Sequence, residues 1–306
     1  MAGYAFWRLV QAAIAVFGVM TIVFVIMRLA GDPTLLLVPE GATREHIEAL
    51  RHELGFDRPI AVQYVAYLAD VLRLDFGQSV VQRLPATAIL ASRLPYTLEL
   101  ALGASAIALL VGIPAGVAMA VWRGGALERL LATFVVTGQS MPTFLSGILL
   151  ILVFGVLLGW LPTSGSGGLS SLVLPSIALG ALSMATFARM ARIAVVDELS
   201  KDYVRAARAR GLSQGAVVVR HVLRNAAVPV VTIAALEFGN LLAGAVIVET
   251  VFAWPGIGQL AIQSIQSRDF VVVQVVVLFV SVIYVAMSLL ADLAYAWLDP
   301  RIRLHG

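Results

Sequence analysis

Six stretches of this chain are long, apolar and nearly free of charged side chains. A helix needs roughly 20 predominantly apolar residues to cross the hydrocarbon core of a bilayer. In lipid the backbone polar groups must bond within their own segment, so such stretches fold as helices. We therefore predict an all-α membrane protein with six transmembrane helices, at 9–27, 100–121, 130–158, 172–188, 228–248 and 270–291.

The overall composition agrees with this class and excludes others. Hydrophobic residues make up 60% of the chain and charged residues 13%, and the mean hydropathy is +0.94, far above that of soluble domains. A net charge of +3 over 306 residues is too slight to indicate nucleic-acid binding. Because the chain has no cysteine, disulfides, thiol catalysis and thiolate metal sites are excluded.

Two of the predicted spans have features of their own. Arg8 precedes the first apolar run, as in a secretory signal, but no small-residue cleavage site follows, so we expect a retained helix. The third run is longer than one straight span requires and contains Pro142. Proline interrupts the helical hydrogen-bond pattern, so this run is predicted to be tilted or kinked.

The distribution of arginine predicts the orientation, because positively charged loops near helix ends tend to remain in the cytoplasm. With both termini inside, Arg8, Arg123, Arg129 and the 189–227 loop lie on the cytoplasmic face. The chain then divides into a first helix with an extracytoplasmic helical segment, a transmembrane domain with a cytoplasmic loop, and a cytoplasmic tail. Their bounds are 1–94, 95–295 (with the loop at about 196–227) and 296–306.

The outer segment contains helical patterns. Apolar residues share one face over 43–54, and Gly55 follows as a helix stop. A second helical pattern starts with Pro59 as the first helical residue. Its apolar face contains Tyr64, Val65, Leu68, Val71 and Leu72. These two helices form a small cap, which either packs against the helix ends or receives a partner.

The sequence excludes several kinds of chemistry. A phosphate-binding P-loop needs a lysine after its glycines, but the only lysine is Lys201, between Ser200 and Asp202. No apolar run contains a histidine that could hold a metal or relay protons, since the four histidines are His46, His52, His221 and His305.

The basic loop between the fourth and fifth runs predicts two short helices joined by an elbow. The sequence favours helix over 198–210, then places Gly211 as a left-handed cap and Leu212 as the apolar residue behind it. Ser213 follows as the N-cap of the next helix.

The surface of this elbow suits a partner with acidic groups. Ala206, Ala207 and Gly211 leave room for close approach, and the elbow is surrounded by positive charge from Arg205, Arg208 and Arg210. The alternative is an ordinary solvated loop of the kind common on the cytoplasmic side.

This loop resembles the EAA loop of ABC importer permeases in its peptide-permease form, with Arg205, Ala206, Ala207 and Gly211 at the motif positions and RHVLRNAAVP at 220–229. The resemblance covers nearly the whole chain. It includes GDP at 31–33, LGFDRPIAVQY at 54–64, DFGQS at 75–79, GWLPTSG at 159–165, ETVFAWPGIGQL at 249–260 and LDPRIR at 298–303, all similar to dipeptide, oligopeptide and nickel permeases.

The resemblance implies the type I ABC importer permease fold in a bacterial or archaeal inner membrane. It implies a non-catalytic subunit that binds no cofactor itself and pairs with a second, similar permease and two cytoplasmic ATPases, which use ATP and Mg. An extracytoplasmic binding protein delivers the solute and largely sets specificity, so dipeptides, oligopeptides, nickel chelates and glutathione-like compounds stay open. The implied ATPase-coupling residues are Tyr203, Arg205, Ala206, Ala207, Arg208, Gly211, Leu212 and Ser213.

Glu237 interrupts the fifth run, and Asn240 lies on a similar face three residues later. Ionisable groups within a membrane are costly and mark transport pathways, and the resembling family more often carries an amide here. Glu237 therefore either lines the pathway for an amine-bearing solute or is buried as a structural hydrogen-bonding group. The alternative, from a different class of protein, is a secondary transporter that uses Glu237 as a proton or cation site. Many secondary transporters contain an inverted repeat, and none is visible in this sequence.

The extracytoplasmic end of the fifth run carries a turn with Pro255, Gly256 and Gly258, which we expect at the mouth of the pathway. Glu99 and Glu249 fall at helix ends, where solvation at the membrane interface costs little, and we expect no transport role for them.

Overall fold

A computed structural model of the chain describes residues 2–29, 43–53 and 55–298. Two π-helical stretches, Ile151–Leu157 and Val218–Val222, interrupt its α-helices. The α-helices are α1 (Ala2–Leu29), α2 (Arg44–Glu53), α3 (Ile60–Leu72), α4 (Ala86–Val121), α5 (Ala126–Ser140), α6 (Thr143–Leu150), α7 (Leu169–Leu199), α8 (Asp202–Ala209), α9 (Gln214–Val217), α10 (Leu223–Val251), α11 (Ile257–Gln266) and α12 (Phe270–Leu298).

Four of the described helices, α1, α4, α7 and α12, are long and apolar enough to cross a membrane. They contain the first, second, fourth and sixth predicted spans. The fifth, 228–248, is helical within α10 but is not among these four. A bent pair of helices brings the number to as many as five over the described residues, so six spans stay a prediction.

The third predicted span is more sharply broken than the expected tilt or kink. α5 ends at Ser140, Met141 and Pro142 are extended with ψ of 130° and 135°, and α6 starts at Thr143. The two halves are bent by 107°. The break falls at the proline because proline cannot donate to the helix and disfavours helical geometry before it. The size of the bend follows from the packing of α5 on α7 and of α6 on α7 and α10.

The helices α4 and α7 approach each other at glycines that have no room for a side chain. A Cβ on Gly112 would lie 2.6 Å from the carbonyl oxygen of Met184, and one on Gly116 would lie 2.3 Å from that of Ala188. Helices in lipid gain little from burying apolar surface against each other, so close packing through small residues holds them together. This pair forms the centre of the bundle.

The largest buried cluster joins α4, α7 and α10. It contains apolar side chains from all three helices and from the turn after α10, namely Leu100, Ala101, Ala104, Leu174, Ala178, Leu179, Leu241, Leu242, Ala245, Val248, Phe252 and Trp254. The cluster fixes the C-terminal end of α10 against the bundle and so positions the turn that follows it.

The segment between α1 and α4 contains two described helices, α2 and α3, as predicted. α2 covers Arg44–Glu53 and is followed by Gly55 at φ +71°, which confirms the predicted stop. α3 begins at Ile60, with Pro59 as its N-cap and not as the first helical residue that we expected.

α3 packs on α1 through aromatic side chains. The Tyr64 hydroxyl lies 2.6 Å from Thr21 Oγ1, and its ring lies 5.1 Å from that of Phe24. The expected apolar face of α3 is wrong at two positions, since Val65 is 65% exposed and Leu72 81% exposed. The contact with α1 includes the polar hydroxyl of Tyr64, which a purely apolar pattern does not reveal.

Candidate functional site

The basic loop forms an elbow with the predicted local geometry. After α8, Gly211 takes φ +84° and its N–H donates to Arg208 O at 2.9 Å, while Leu212 N–H donates to Ala207 O at 3.3 Å. Ser213 Oγ then accepts from Ala216 N at 3.4 Å and caps α9. The left-handed cap and the N-cap are therefore confirmed, and they turn the chain sharply between α8 and α9.

One side of the elbow is packed against the bundle. Val204 is fully buried and Ala207 is 8% exposed, and both lie in a cluster with Val195, Val217 and Val222. We expected Ala207 to leave room for a partner, and the structure corrects this: its small side chain lets α8 approach the end of α7 and the start of α10.

The other side of the elbow is open and basic. Its exposed residues include Arg205, Ala206, Arg208, Arg210, Gly211, Leu212 and Ser213. Arg205 lies 3.4 Å from Asp202, but both side chains are largely exposed, so this ion pair stabilises little. The guanidinium groups are accordingly available to the carboxylates of a partner.

A buried carboxylate that the sequence did not single out ties the elbow to the bundle. Glu198, at the end of α7, is 9% exposed. Its carboxylate accepts from Tyr203 Oη at 2.6 Å and from Asn225 Nδ2 at 3.4 Å, and Lys201 Nζ also donates to it. α7, α8 and α10 therefore meet at one side chain. The spacing of an acid three residues before the only lysine is the signal that could have revealed it.

The protonation states of Lys201 and Tyr203 favour the same arrangement. The hydrogen bond to Glu198 raises the pKa of Lys201. The pKa of Tyr203 is raised by burial and further by its hydrogen bond to Glu198. Both groups therefore keep their protons near neutral pH and donate to the carboxylate. Tyr203 thus fixes the elbow from within.

A small polar cluster surrounds Glu237 on α10. Ser183 Oγ, on α7, donates to Glu237 Oε2 at 2.5 Å, and Asn240 Nδ2 lies 3.5 Å from Glu237 Oε1. Glu237 is partly buried and Asn240 is exposed. The structure thus brings the two predicted pathway residues together and adds Ser183. The contact with Ser183 links two helices, while the exposed amide faces away from the core.

The turn after α10 is organised by Glu249. We expected this residue to be solvated at the membrane interface, and the structure corrects this, because Glu249 is 0% exposed. Its carboxylate accepts from Thr97 Oγ1 at 2.7 Å and from Gln259 N at 3.0 Å. Thr97 Oγ1 in turn accepts from Ile257 N at 2.8 Å. The two side chains therefore bond the free N–H groups in the first turn of α11.

The predicted glycines of this turn are required because it packs closely against α10. A Cβ on Gly256 would lie 2.1 Å from Glu249 Oε1, and one on Gly258 would lie 2.5 Å from Val246 Cα. Trp254, beside Pro255, is buried and donates from Nε1 to Tyr96 O at 2.8 Å. The turn is thus a rigid connection between α4, α10 and α11. Thr97 had no signal in the sequence, because its partner is 152 residues away.

Replacing Glu249 with alanine is expected to lower the thermal stability of the purified protein. The change removes the acceptor for Thr97 and for N–H groups of α11, and each buried donor left without a partner costs about 1–3 kcal/mol. The measurement is the unfolding temperature in detergent. Glu99→Ala is the matched control, because Glu99 is an exposed glutamate two residues after Thr97 on α4. An equal loss in both variants would contradict the capping role.

Two family models together match nearly the whole chain. Residues 112–304 match the model described as a binding-protein-dependent transport system inner membrane component. Residues 1–101 match the model for the N-terminal part of such membrane components.

Similar proteins of known name and known structure agree with these models. The chain is 42% identical over 304 residues, 99% of each chain, to the glutathione transport system permease protein GsiC of Escherichia coli K12, and the same values hold for GsiC of Salmonella paratyphi A. Among solved structures, the MetNI methionine ABC transporter in an inward-facing conformation matches with a TM-score of 0.58 at 23% identity. That match covers 69% of this chain and 96% of the other.

Proposed function

Because this chain belongs to the family of inner membrane components of binding-protein-dependent transport systems, we propose that it forms half of the translocation pathway of an ATP-driven importer and couples to ATPases through its basic elbow. The chain is a permease subunit with the type I ABC importer fold. Its relatives do not support the secondary transporter in which Glu237 carries a proton or cation.

The proposed assembly contains this chain, a second similar permease, two cytoplasmic ATPases and an extracytoplasmic binding protein. ATP and Mg belong to the ATPases, and this chain binds no cofactor and hydrolyses no ATP. In support, Lys201 Nζ donates to Glu198 instead of following a glycine-rich loop. Both termini lie in the cytoplasm. The chain divides into 1–94, 95–295 and the tail 296–306.

The observation that carries the coupling role is the elbow's two-sided construction. Its inner side is fixed by Glu198 and by the buried Val204 and Ala207, so a force on the elbow reaches α7 and α10. Its outer side presents an exposed glycine turn with arginines around it. Closure of the two ATPases would move the elbow as a unit and, through those helices, alternate access to the pathway.

Replacing Glu198 with alanine is expected to reduce the coupling of transport to ATP hydrolysis. Solute uptake should fall several-fold more than the rate of ATP hydrolysis. The elbow keeps its arginines for docking but loses the side chain that joins α8 to α7 and α10. The measurement is the ratio of solute transported to ATP hydrolysed by the reconstituted complex. Asp197→Asn, an exposed acid one residue earlier, is the control. An unchanged ratio in Glu198→Ala would contradict transmission through this contact.

Charge reversal at Arg208 is expected to weaken ATPase docking modestly, by roughly 0.5–1 kcal/mol, with stronger dependence on salt. Arg208 is exposed at the elbow, and a charge at the rim of an interface changes association more than dissociation. The measurement is ATPase binding to the permease at several ionic strengths. Arg129→Glu changes an exposed arginine outside the elbow. Equal weakening in both would indicate a general charge effect.

We assign the Glu237 cluster to the pathway and the 255–258 turn to its outer mouth. Asn240 is exposed beside the Glu237 carboxylate, which suits an amine-bearing solute. The relatives named as glutathione permeases are 42% identical over 99% of the chain. On that basis the solute belongs to the peptide class, with glutathione the first to test.

Purification of the chain from its native membrane in mild detergent tests the assembly. We expect two ATPases and a second permease to co-purify, and the reconstituted complex with its binding protein to take up labelled glutathione. Recovery of this chain alone, under conditions that keep comparable transporters intact, would refute the proposed assembly.

A further inference from the structure

The turn between α4 and α5 presents an aromatic and two basic side chains. α4 is long and apolar enough to cross a membrane, and it ends at Val121. Trp122 follows it and is 56% exposed, and Arg123 and Arg129, before and after the start of α5, are exposed as well. Tryptophan and arginine beside the end of a membrane helix are typical of the level of the lipid head groups.

An ion pair places this turn on the same side of the bundle as the elbow. Arg192, near the end of α7, donates from Nε and Nη2 to Glu128 Oε1 at 2.9 and 2.5 Å. The other oxygen, Glu128 Oε2, accepts from Gly124 N at 2.6 Å. α7 ends at Leu199, just before the first helix of the elbow. The turn therefore lies at the cytoplasmic face in the orientation proposed above.

The same ion pair leaves the turn with an excess of positive charge. Glu128 is the one acidic residue between 122 and 130, and its carboxylate is paired with Arg192. The charge of Arg123 also acts on this carboxylate. Within residues 2–29, 43–53 and 55–298, neither Arg123 nor Arg129 forms a hydrogen bond or an ion pair through its side chain. Two positive charges thus remain for an anion.

An exposed apolar face continues from the basic turn along α5. Leu127, Leu130 and Phe134 are 41%, 67% and 59% exposed, and their spacing of three and four residues places them on one side of the helix. Val135 is buried and packs on α7, so α5 has one face toward the bundle and another open. A phospholipid fits both features, because its head group can meet the arginines while an acyl chain covers the apolar face.

We infer that the α4–α5 turn binds an anionic phospholipid of the cytoplasmic leaflet, with its phosphate at Arg123 and Arg129 and an acyl chain along the exposed face of α5. An anionic membrane surface attracts basic residues that lie beside the end of a membrane helix, and Trp122 suits the boundary between head groups and acyl chains. The inference rests on the orientation proposed above and is independent of the importer function.

The test is native mass spectrometry of the full chain, purified in mild detergent with the subunits that accompany it, using phosphatidylglycerol and phosphatidylcholine as probes. We expect the wild type to bind phosphatidylglycerol roughly tenfold more tightly than phosphatidylcholine, which has no net charge. Arg123→Gln and Arg129→Gln are each expected to weaken phosphatidylglycerol binding about fivefold, corresponding to about 1 kcal/mol for each arginine. Binding of phosphatidylcholine should be unchanged.

Three double variants separate the position of the charges from their number. The Arg123→Gln, Arg129→Gln pair should lose the preference for phosphatidylglycerol. The Arg44→Gln, Arg73→Gln pair removes two exposed arginines between α1 and α4 and should keep it. The Arg123→Lys, Arg129→Lys pair retains both charges and should keep most of it, since lysine also binds phosphate. Equal loss in the two glutamine pairs, or in the glutamine and lysine pairs at the turn, would overturn the inference, as would a wild type without the preference.

The same purification distinguishes a lipid from a protein on this surface. If the turn instead contacts another subunit, the Arg123→Gln, Arg129→Gln pair loses that subunit and still binds phosphatidylglycerol like the wild type, which would overturn the inference. The unfolding temperature in phosphatidylcholine shows whether this pair is folded; if it is lowered, the two single variants and the lysine pair decide. Intact ATP-driven uptake without a lipid preference would refute only the lipid site, and lost uptake in the wild type only the importer function.

Discussion

Uptake by the assembled transporter is expected to fall at least tenfold when Gly211 is replaced by leucine, while the protein still inserts into the membrane. Gly211 lies at the exposed tip of the elbow with φ +84°, and a Cβ built on it would meet nothing within 4 Å. The added Cβ therefore meets no other atoms of the isolated chain, but the side chain occupies the space that the proposed ATPase groove needs. The measurement is ATP-driven uptake by proteoliposomes with equal amounts of inserted permease.

Backbone strain has to be separated from lost docking, because a non-glycine residue in the left-handed region costs roughly 1–2 kcal/mol. Gly124 provides the match, since it has φ +85°, is exposed, and also has open space around its Cβ position. Gly124→Leu therefore introduces the same strain outside the elbow and is expected to keep its uptake. Equal loss of uptake in both variants, or full uptake by Gly211→Leu, would contradict the coupling role.

Replacing Gly116 with leucine is expected to prevent correct packing of the bundle. A Cβ at this position would lie 2.3 Å from Ala188 O and 2.8 Å from Ala191 Cβ, so α4 and α7 must separate. Overpacking of this kind costs about 1–3 kcal/mol, and the separation also removes neighbouring contacts along both helices. The expected result is a large decrease in the monodisperse fraction and in the unfolding temperature, measured by size-exclusion chromatography and thermal unfolding in detergent.

Gly18→Leu controls for the added side chain itself. Gly18 lies within α1, and a Cβ there would meet nothing within 4 Å. This variant adds the same apolar bulk to a membrane helix and is expected to behave like the wild type. A Gly116→Leu protein as stable as Gly18→Leu would show that the α4–α7 contact is not as close as the structure indicates.

The sequence predicted those features that depend on neighbours in the chain. Apolar runs predicted α1, α4, α7 and α12, which are long and apolar enough to cross a membrane, because a helix satisfies its own backbone in lipid. Gly211 and Ser213 gave the elbow because left-handed caps and N-caps depend on local residue preferences, and both occur in the structure. The position of the break at Pro142 was predicted for the same reason. The family motifs, distributed along the chain, predicted the class of protein that the relatives confirm.

The tertiary structure decided the features that depend on contacts between distant parts of the chain. Glu249 is buried instead of solvated because Thr97, 152 residues away, and the start of α11 bring their donors to it. Ala207 faces inward, and Glu198 joins three helices, because α7, α8 and α10 converge there. The 107° bend between α5 and α6 likewise follows from their partners. Local sequence sets backbone preferences, whereas burial and hydrogen-bond partners are set by which helices pack together.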